Sequence, residues 1–263
     1  MLIAGSFFLI CFIASIIGAI CGIGGGIIIK PALDSFGILD VATISFLATC
    51  TVLAMTTYSV LRNKLNGSSH VNISETMPLI IGSIIGGIAG KTLFQSLAAH
   101  IGNLQLVGVV QASCLIIVTF GTLLFTIYKK RISTFQVHSG VISAIIGCFL
   151  GMMSSFLGIG GGPINLVVLF YFYSAPSKVA VDISLTIIFF SQLANLFISF
   201  VTNSIPVFPA PILVLMIAGG IAGGIVGRSI NKNISEHTVD KLFIGLMAFI
   251  ILLNGYNIYQ FML

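Results

Sequence analysis

The feature that most constrains this chain is the length of its charge-free stretches. The first charged residue is Lys30, and further runs without Asp, Glu, Lys or Arg cover residues 41–61, 92–128, 132–177, 183–227 and 242–263. A helix needs roughly 20 apolar residues to cross about 30 Å of hydrocarbon. All of these runs reach that length, and several suffice for two crossings. A soluble core accommodates one such run, but not a near-continuous series with no polar face for water. Composition agrees: 57% of the 263 residues are hydrophobic and 6% charged, against roughly 25% charged in a typical soluble domain. The sequence predicts an all-α integral membrane protein, multi-pass in the cell (plasma or inner) membrane, with the lipid bilayer as its first partner. The opening segment lacks a positively charged leader and is followed by further spans, so it reads as a retained helix, not a signal peptide.

Charges, prolines and polar clusters divide the chain into eight expected transmembrane helices near residues 2–21, 41–61, 77–97, 104–128, 139–157, 179–202, 209–228 and 238–262. The longest polar connections are residues 62–75 and 129–138, which leaves no room for a soluble domain. Eight spans would put Arg62, Lys64 and residues 129–131 on the side of both termini and the other six basic residues opposite. The dense cluster at residues 129–131 then leans towards cytoplasmic termini by the positive-inside rule. The net charge of +5 is spent at span ends and implies no nucleic-acid partner. Cys11, Cys21, Cys50, Cys114 and Cys148 fall in apolar runs without metal-site or disulfide spacing, and read as small core residues.

The chain repeats itself. Gly22-Ile23-Gly24-Gly25-Gly26 recurs as Gly158-Ile159-Gly160-Gly161-Gly162, and Gly82, Gly86, Gly90 and Lys91 recur as Gly219, Gly223, Gly227 and Arg228. Ile44-Ser45 is matched provisionally with Ile183-Ser184. Residues 1–128 and 139–263 therefore read as two transmembrane repeats of four helices, joined by a loop at residues 129–138. Four spans per repeat give parallel halves, unless the stretch after each glycine cluster adds a crossing and inverts them.

Each glycine in a helix costs about 1 kcal/mol relative to alanine, so three in succession mark a break. Broken backbone at membrane depth is tolerated only within protein or beside a water-filled cavity, and paired breaks in two halves point to a transporter binding site. Short helices are expected after them, at residues 27–36 and 163–173, the second with Pro163 at its first turn. Such a helix presents free N–H groups and the positive end of its dipole, which favour an anion. Gly24, Gly25, Gly26, Gly160, Gly161 and Gly162 are therefore the expected substrate site, for a small anionic solute. The competing reading of such glycines is close helix packing. Packing is favoured for the four-spaced set at residues 82–90 and 219–227.

Residues 22–31, GIGGGIIIKP, and residues 158–165, GIGGGPIN, resemble the paired signatures of the TauE/SafE family of sulfite exporters. The resemblance covers the whole chain. It implies a proton- or gradient-coupled permease for sulfite, sulfonates or related organic anions, with the glycine segments near the substrate. Protons are then the implied coupling ion, and a homo-oligomer is compatible with it. The first cluster departs from the second in carrying its proline later, at Pro31.

Among other polar residues, Asn165 lies in the first turn of the second short helix, and Ser45 and Ser184 lie inside spans. All three are expected substrate ligands, although such groups also bridge helices, at about 0.6 kcal/mol each. Thr49, Thr51, Gln192 and Asn195 rank below them. Lys30 and Lys178 read first as lysines snorkelling to the interface and second as substrate partners. Lys91 and Arg228 read as helix-end cations, and Asp182 as a helix start or a proton relay. His70, His100, His138 and His237 are expected in loops. Enzyme motifs are absent: no zinc His-Glu-x-x-His, no Gly-x-Ser-x-Gly elbow and no Walker loop. No cofactor or metal is implied. The sequence thus points to a secondary transporter of small anions working by alternating access. A passive anion channel and a non-transporting scaffold are the alternatives.

Overall fold

The computed structural model describes residues 2–65 and 73–262; His70, in the 62–75 connection, lies outside the described residues. Lipid cannot satisfy backbone polar groups, so a chain this apolar folds into helices that bond internally. Among the described residues there are ten α-helices and no strand: α1 (Leu2–Cys21), α2 (Gly26–Asp34), α3 (Val41–Leu65), α4 (Ile73–Ile101), α5 (Leu104–Tyr128), α6 (Gly140–Phe156), α7 (Pro163–Tyr173), α8 (Ser177–Val201), α9 (Ala210–Asn233) and α10 (Glu236–Met262). A short 3-10 turn, Lys129–Arg131, follows α5. Six of the eight expected spans, α3, α4, α5, α8, α9 and α10, are long and apolar enough to cross a membrane. The other two, α1 and α6, run for 20 and 17 residues, and each stops at its glycine cluster. Side chains on the outer faces are apolar, with Leu252, Ile117 and Val141 exposed by 74%, 72% and 72%.

The four-spaced glycines set how the long helices meet. Gly82, Gly86 and Gly90 of α4 lie against the carbonyls of Ala144, Cys148 and Met152 of α6, with no room for a side chain. Gly219, Gly223 and Gly227 of α9 meet the carbonyls of Phe8, Phe12 and Ile16 of α1 in the same way. Both pairs ascend together, so α4 runs parallel to α6 and α9 parallel to α1. These are the close backbone approaches that small residues at four-residue spacing allow.

Helix directions follow from such contacts. Gly220 and Gly224 meet Thr51 and Met55, so α3 also runs with α9. Gly108 near the start of α5 touches Phe261 near the end of α10, while Lys129 after α5 pairs with Asp240 at the start of α10. Hence α5 and α10 are antiparallel. α1 and α3 run the same way although consecutive long helices, and so do α6 and α8. In each case the short helix between them, α2 or α7, carries the chain back.

That return corrects the expected placement of charge. Both termini lie at one end of the bundle. The opposite end gathers Arg62 and Lys64 of α3, Lys129, Lys130 and Arg131 after α5, Lys178 of α8, Arg228 and Lys232 of α9, and Lys241 of α10. Only Lys30 and Lys91 lie outside this basic end, and both are buried. His100 and His237 also differ from expectation, lying in the last turn of α4 and the first turn of α10.

A helix stopped inside the protein leaves carbonyls without intrahelical partners. Asn231 of α9 donates from Nδ2 to the carbonyl of Ile20, just before the first break, at 2.6 Å. Gln111 of α5 donates from Nε2 to the carbonyl of Phe156, just before the second, at 2.5 Å. Matching ends are capped by unrelated amides from across the bundle.

Candidate functional site

The two breaks share one backbone path. Gly22 and Gly24 have φ of 69° and 72°, and Gly158 and Gly160 have φ of 64° and 66°. An L side chain in that left-handed region costs roughly 1–2 kcal/mol, which is why glycine stands at matching positions of both clusters. The chain then doubles back: the Ile23 N–H donates to the Gly18 carbonyl at 3.1 Å, and Gly25 rests on Ser15 of α1.

The breaks meet each other at the centre of the molecule. A side-chain carbon on Gly24 would lie 3.2 Å from the Gly160 carbonyl oxygen, and one on Gly161 would lie 2.7 Å from that of Ile23. Gly26 packs directly on the Ile159 carbonyl. From this crossing α2 and α7 run to opposite ends of the bundle, so both helix N-termini converge on it. In α2 the first internal bonds run from the Ile28 and Ile29 N–H groups to the Gly25 carbonyl, each 3.0 Å. In α7 the first turn holds Pro163, with no N–H, and the Asn165 N–H bonds to the Gly162 carbonyl at 3.2 Å. Two positive dipole ends aimed at one buried point favour negative charge there.

The expected ligands divide into two groups. Gly24, Gly25, Gly26, Gly160, Gly161 and Gly162 are all buried and brought together. Asn165, 1% exposed, donates from Nδ2 to Ser184 Oγ at 3.2 Å, and its Oδ1 has no partner. Ser45, 6% exposed, lies against Gly158, and its Oγ has no partner either. The structure does not bring Ser45 to the Asn165–Ser184 pair. Ser45 sits two turns, about 10 Å, before Val52 on α3, whereas Ser184 sits one turn before Ile188 on the oppositely directed α8. They flank the crossing on opposite sides. Their provisional match is also corrected: Ser45 faces Gly158, and the residue facing Gly22 in the same way is Val181.

Two residues that carry no polar signal close the crossing. Val52 packs against Gly24 and Gly160, Ile188 against Gly24 and Gly161, and both are fully buried. Their signal was register, since each follows the first glycine of its cluster at the same distance along the chain. Of the lesser candidates, Thr51 bonds back to the Leu47 carbonyl at 2.9 Å and Gln192 bridges to Ser154 of α6 at 3.1 Å.

Lys30 does not snorkel. It is 4% exposed and pairs with Asp34 at 3.1 Å. Lys91 is not a helix-end cation but sits inside α4, 8% exposed, with its ammonium 5.5 Å from the centre of the Phe94 ring. Arg228 pairs with Asp182 across α9 and α8 at 3.4 Å, which draws both away from the simple helix-end roles expected of them. Among the described residues no group of His, Cys, Asp or Glu is placed to hold a metal ion.

A cavity of about 530 Å³ opens at the basic end and is lined by residues including Thr76, Gln136, His138, Ser143, Tyr173 and Ile183. A second, of about 360 Å³, opens at the end of the termini, with Asp34, Asp40, Gln105 and Gln260 in its wall. Neither has Val52 or Ile188 in its wall.

Comparison with curated proteins and with solved structures returns no match. The family model of the sulfite exporter TauE/SafE matches residues 7–253, nearly the whole chain and both glycine breaks, and the chain belongs to that family of membrane transporters.

Proposed function

We propose that this protein is a secondary transporter of small anions, namely sulfite, sulfonates or related organic anions, and that it works by alternating access in the cell membrane. The observation that carries the reading is the convergence of two half-helix N-termini on one buried crossing. Broken helices with that arrangement bind anionic groups of substrates near the bilayer midplane. Residues 1–128 and 139–263 serve as its two repeats. Their relation is inverted, because the antiparallel α5 and α10 occupy matching places and the α4 and α6 contact repeats as α9 and α1. In inverted repeats, each half can adopt the other's conformation, which exchanges the open side. Cavities at both ends, neither reaching the crossing closed by Val52 and Ile188, support alternating access over a continuous channel.

Nine of the eleven basic residues at one end put that end in the cytoplasm by the positive-inside rule, and both termini outside. Both half-helices come from one chain, so a homo-oligomer is not needed to complete the site. Flux of labelled sulfite and a panel of small sulfonates into proteoliposomes tests the reading: saturable flux of an anion is expected, and no flux of any panel member overturns it.

A further inference from the structure

The two half-helices differ in charge. Lys30 and Asp34 stand one turn apart on α2, 4% and 8% exposed, with Nζ 3.1 Å from Asp34 Oδ2. The matching positions of α7, counted from each glycine cluster, are Leu166 and Phe170. Of the two half-helices, only α2 therefore carries an ion pair. Its arrangement does not serve the helix, because an aspartate in the last turn opposes the dipole there. Ionisable residues kept at membrane depth mark substrate and proton paths.

The pair links a cavity wall to the second glycine break. Asp34 lines the cavity of about 360 Å³ at the end of the termini, and its Oδ1 has no hydrogen-bond partner. One turn inward, the Lys30 side chain reaches the second glycine break. A methyl on Gly158 would lie 3.3 Å from Lys30 Cε and 2.6 Å from Ser45 Oγ, itself unpartnered. A cation, a free hydroxyl and glycine backbone thus surround one point, with a buried carboxylate behind them at the wall of the cavity.

We propose that Lys30 and Asp34 are the coupling pair of this transporter: Lys30, with Ser45, carries the charge of the anion beside Gly158, and Asp34 takes up the proton that travels with it. This rests on the anion-transport reading above. In the empty site the ammonium is held by the carboxylate. A bound anion takes the ammonium, and the released Asp34 carboxylate binds one proton from water in the cavity. When the anion leaves on the other side, Asp34 releases its proton to that same side and the ion pair re-forms. One proton and one anion cross together in each cycle, and a monoanion moves without net charge.

Other groups near the pair do not compete for this role. Asp40, also in the cavity wall, is bound by the Thr43 N–H at 2.8 Å and the Thr43 hydroxyl at 2.6 Å and caps α3. Gln105 of α5 and Gln260 of α10, in the same wall, are uncharged, and Asn257 of α10 is engaged with the Pro31 carbonyl at 2.8 Å. α1 carries no Asp, Glu, Lys or Arg and brings Cys21 to the shared core. On α3, the charged residues Arg62 and Lys64 lie towards the opposite, basic end.

The experiment compares the wild type, Asp34→Asn and the double variant Lys30→Gln with Asp34→Asn in proteoliposomes, using sulfite and a small sulfonate as probes. With the membrane potential clamped, wild-type protein should accumulate anion about tenfold per unit of imposed pH gradient. Asp34→Asn should lose that accumulation, keep anion–anion exchange, and show a lower KM because no carboxylate competes for Lys30. Neutralising both partners is tolerated where removing one is not, so the double variant should stay folded even if the single one does not. It should show neither accumulation nor the lowered KM. Gradient-driven accumulation by either variant overturns the proposal, as does loss of exchange in monodisperse Asp34→Asn. Wild-type exchange that ignores the pH gradient also overturns it while leaving anion transport standing, whereas no anion flux at all removes the transport reading itself.

Discussion

Gly24 and Gly160 meet backbone to backbone: a side-chain carbon on Gly24 would lie 3.2 Å from the Gly160 carbonyl oxygen. The contact joins the two glycine clusters and fixes where α2 and α7 begin. Positions within a cluster differ in what they tolerate.

Gly160 has a φ of 66°, and a side-chain carbon there would come 2.8 Å from Val52 Cγ1. Gly162 is extended, and its nearest neighbour would be Ile159 Cδ1 at 3.5 Å. Gly160→Ala should lower anion flux by about tenfold or more, the equivalent of roughly 1.4 kcal/mol, while the protein still inserts. Gly162→Ala should transport close to normally. Flux per mass of monodisperse protein, measured for both, checks the pair. Equal loss in the two would mean that added bulk, not the crossing, is responsible.

Ile188 and Val52 close the glycine crossing, and removing a buried isoleucine side chain costs about 2–5 kcal/mol in a well-packed core. Ile188→Ala should lower the melting temperature and raise downhill leak of anion in the absence of any gradient coupling. A leak equal to that of wild type, alongside the lower melting temperature, would place the barrier elsewhere.

The interface glycines are tested by stability alone. Gly86 and Gly223 lie on the carbonyls of Cys148 and Phe12, whereas Gly121 of α5 has open space around it. Gly86→Ala and Gly223→Ala should destabilise, and Gly121→Ala should be neutral or stabilising by about 0.5–1 kcal/mol, since it removes a helix glycine without a clash. Thermal melting in detergent distinguishes them.

Much of this arrangement is legible in the sequence because the bilayer makes one demand everywhere: apolar runs of sufficient length, broken only where something replaces the lost hydrogen bonds. The long helices, the half-helix at Pro163–Tyr173 and the pairing of the glycine clusters follow from that demand. What escaped it depended on direction and register. Counting only long spans placed Arg62 and the cluster at residues 129–131 beside the termini, because a nine-residue helix such as α2 is too short to register as a crossing yet reverses every later helix. Ser45 and Ser184 look alike in sequence but lie on opposite sides of the crossing, and Val52 and Ile188 have no polar group to mark them. Lys30 looked interfacial because distance along the chain from a span end says nothing of depth once the chain turns inward.

The orientation is open to a direct check. Reporters fused at the N- or C-terminus should be active outside the cytoplasm, and cysteines placed in the residues 129–131 turn should react only from the cytoplasmic side. Cytoplasmic termini with residues 129–131 outside would reverse the orientation, and both on the cytoplasmic side would mean that α2 and α7 do not return the chain.

The most direct test of the central claim is counterflow. Proteoliposomes loaded with unlabelled sulfite or sulfonate are diluted into labelled anion, and initial uptake is compared with that of empty vesicles. A carrier whose two inverted halves expose one central site to each side in turn should take up label faster when the anion is present inside. Uptake that is unaffected by internal anion would contradict alternating access at the crossed glycine breaks and leave an open pore as the better description.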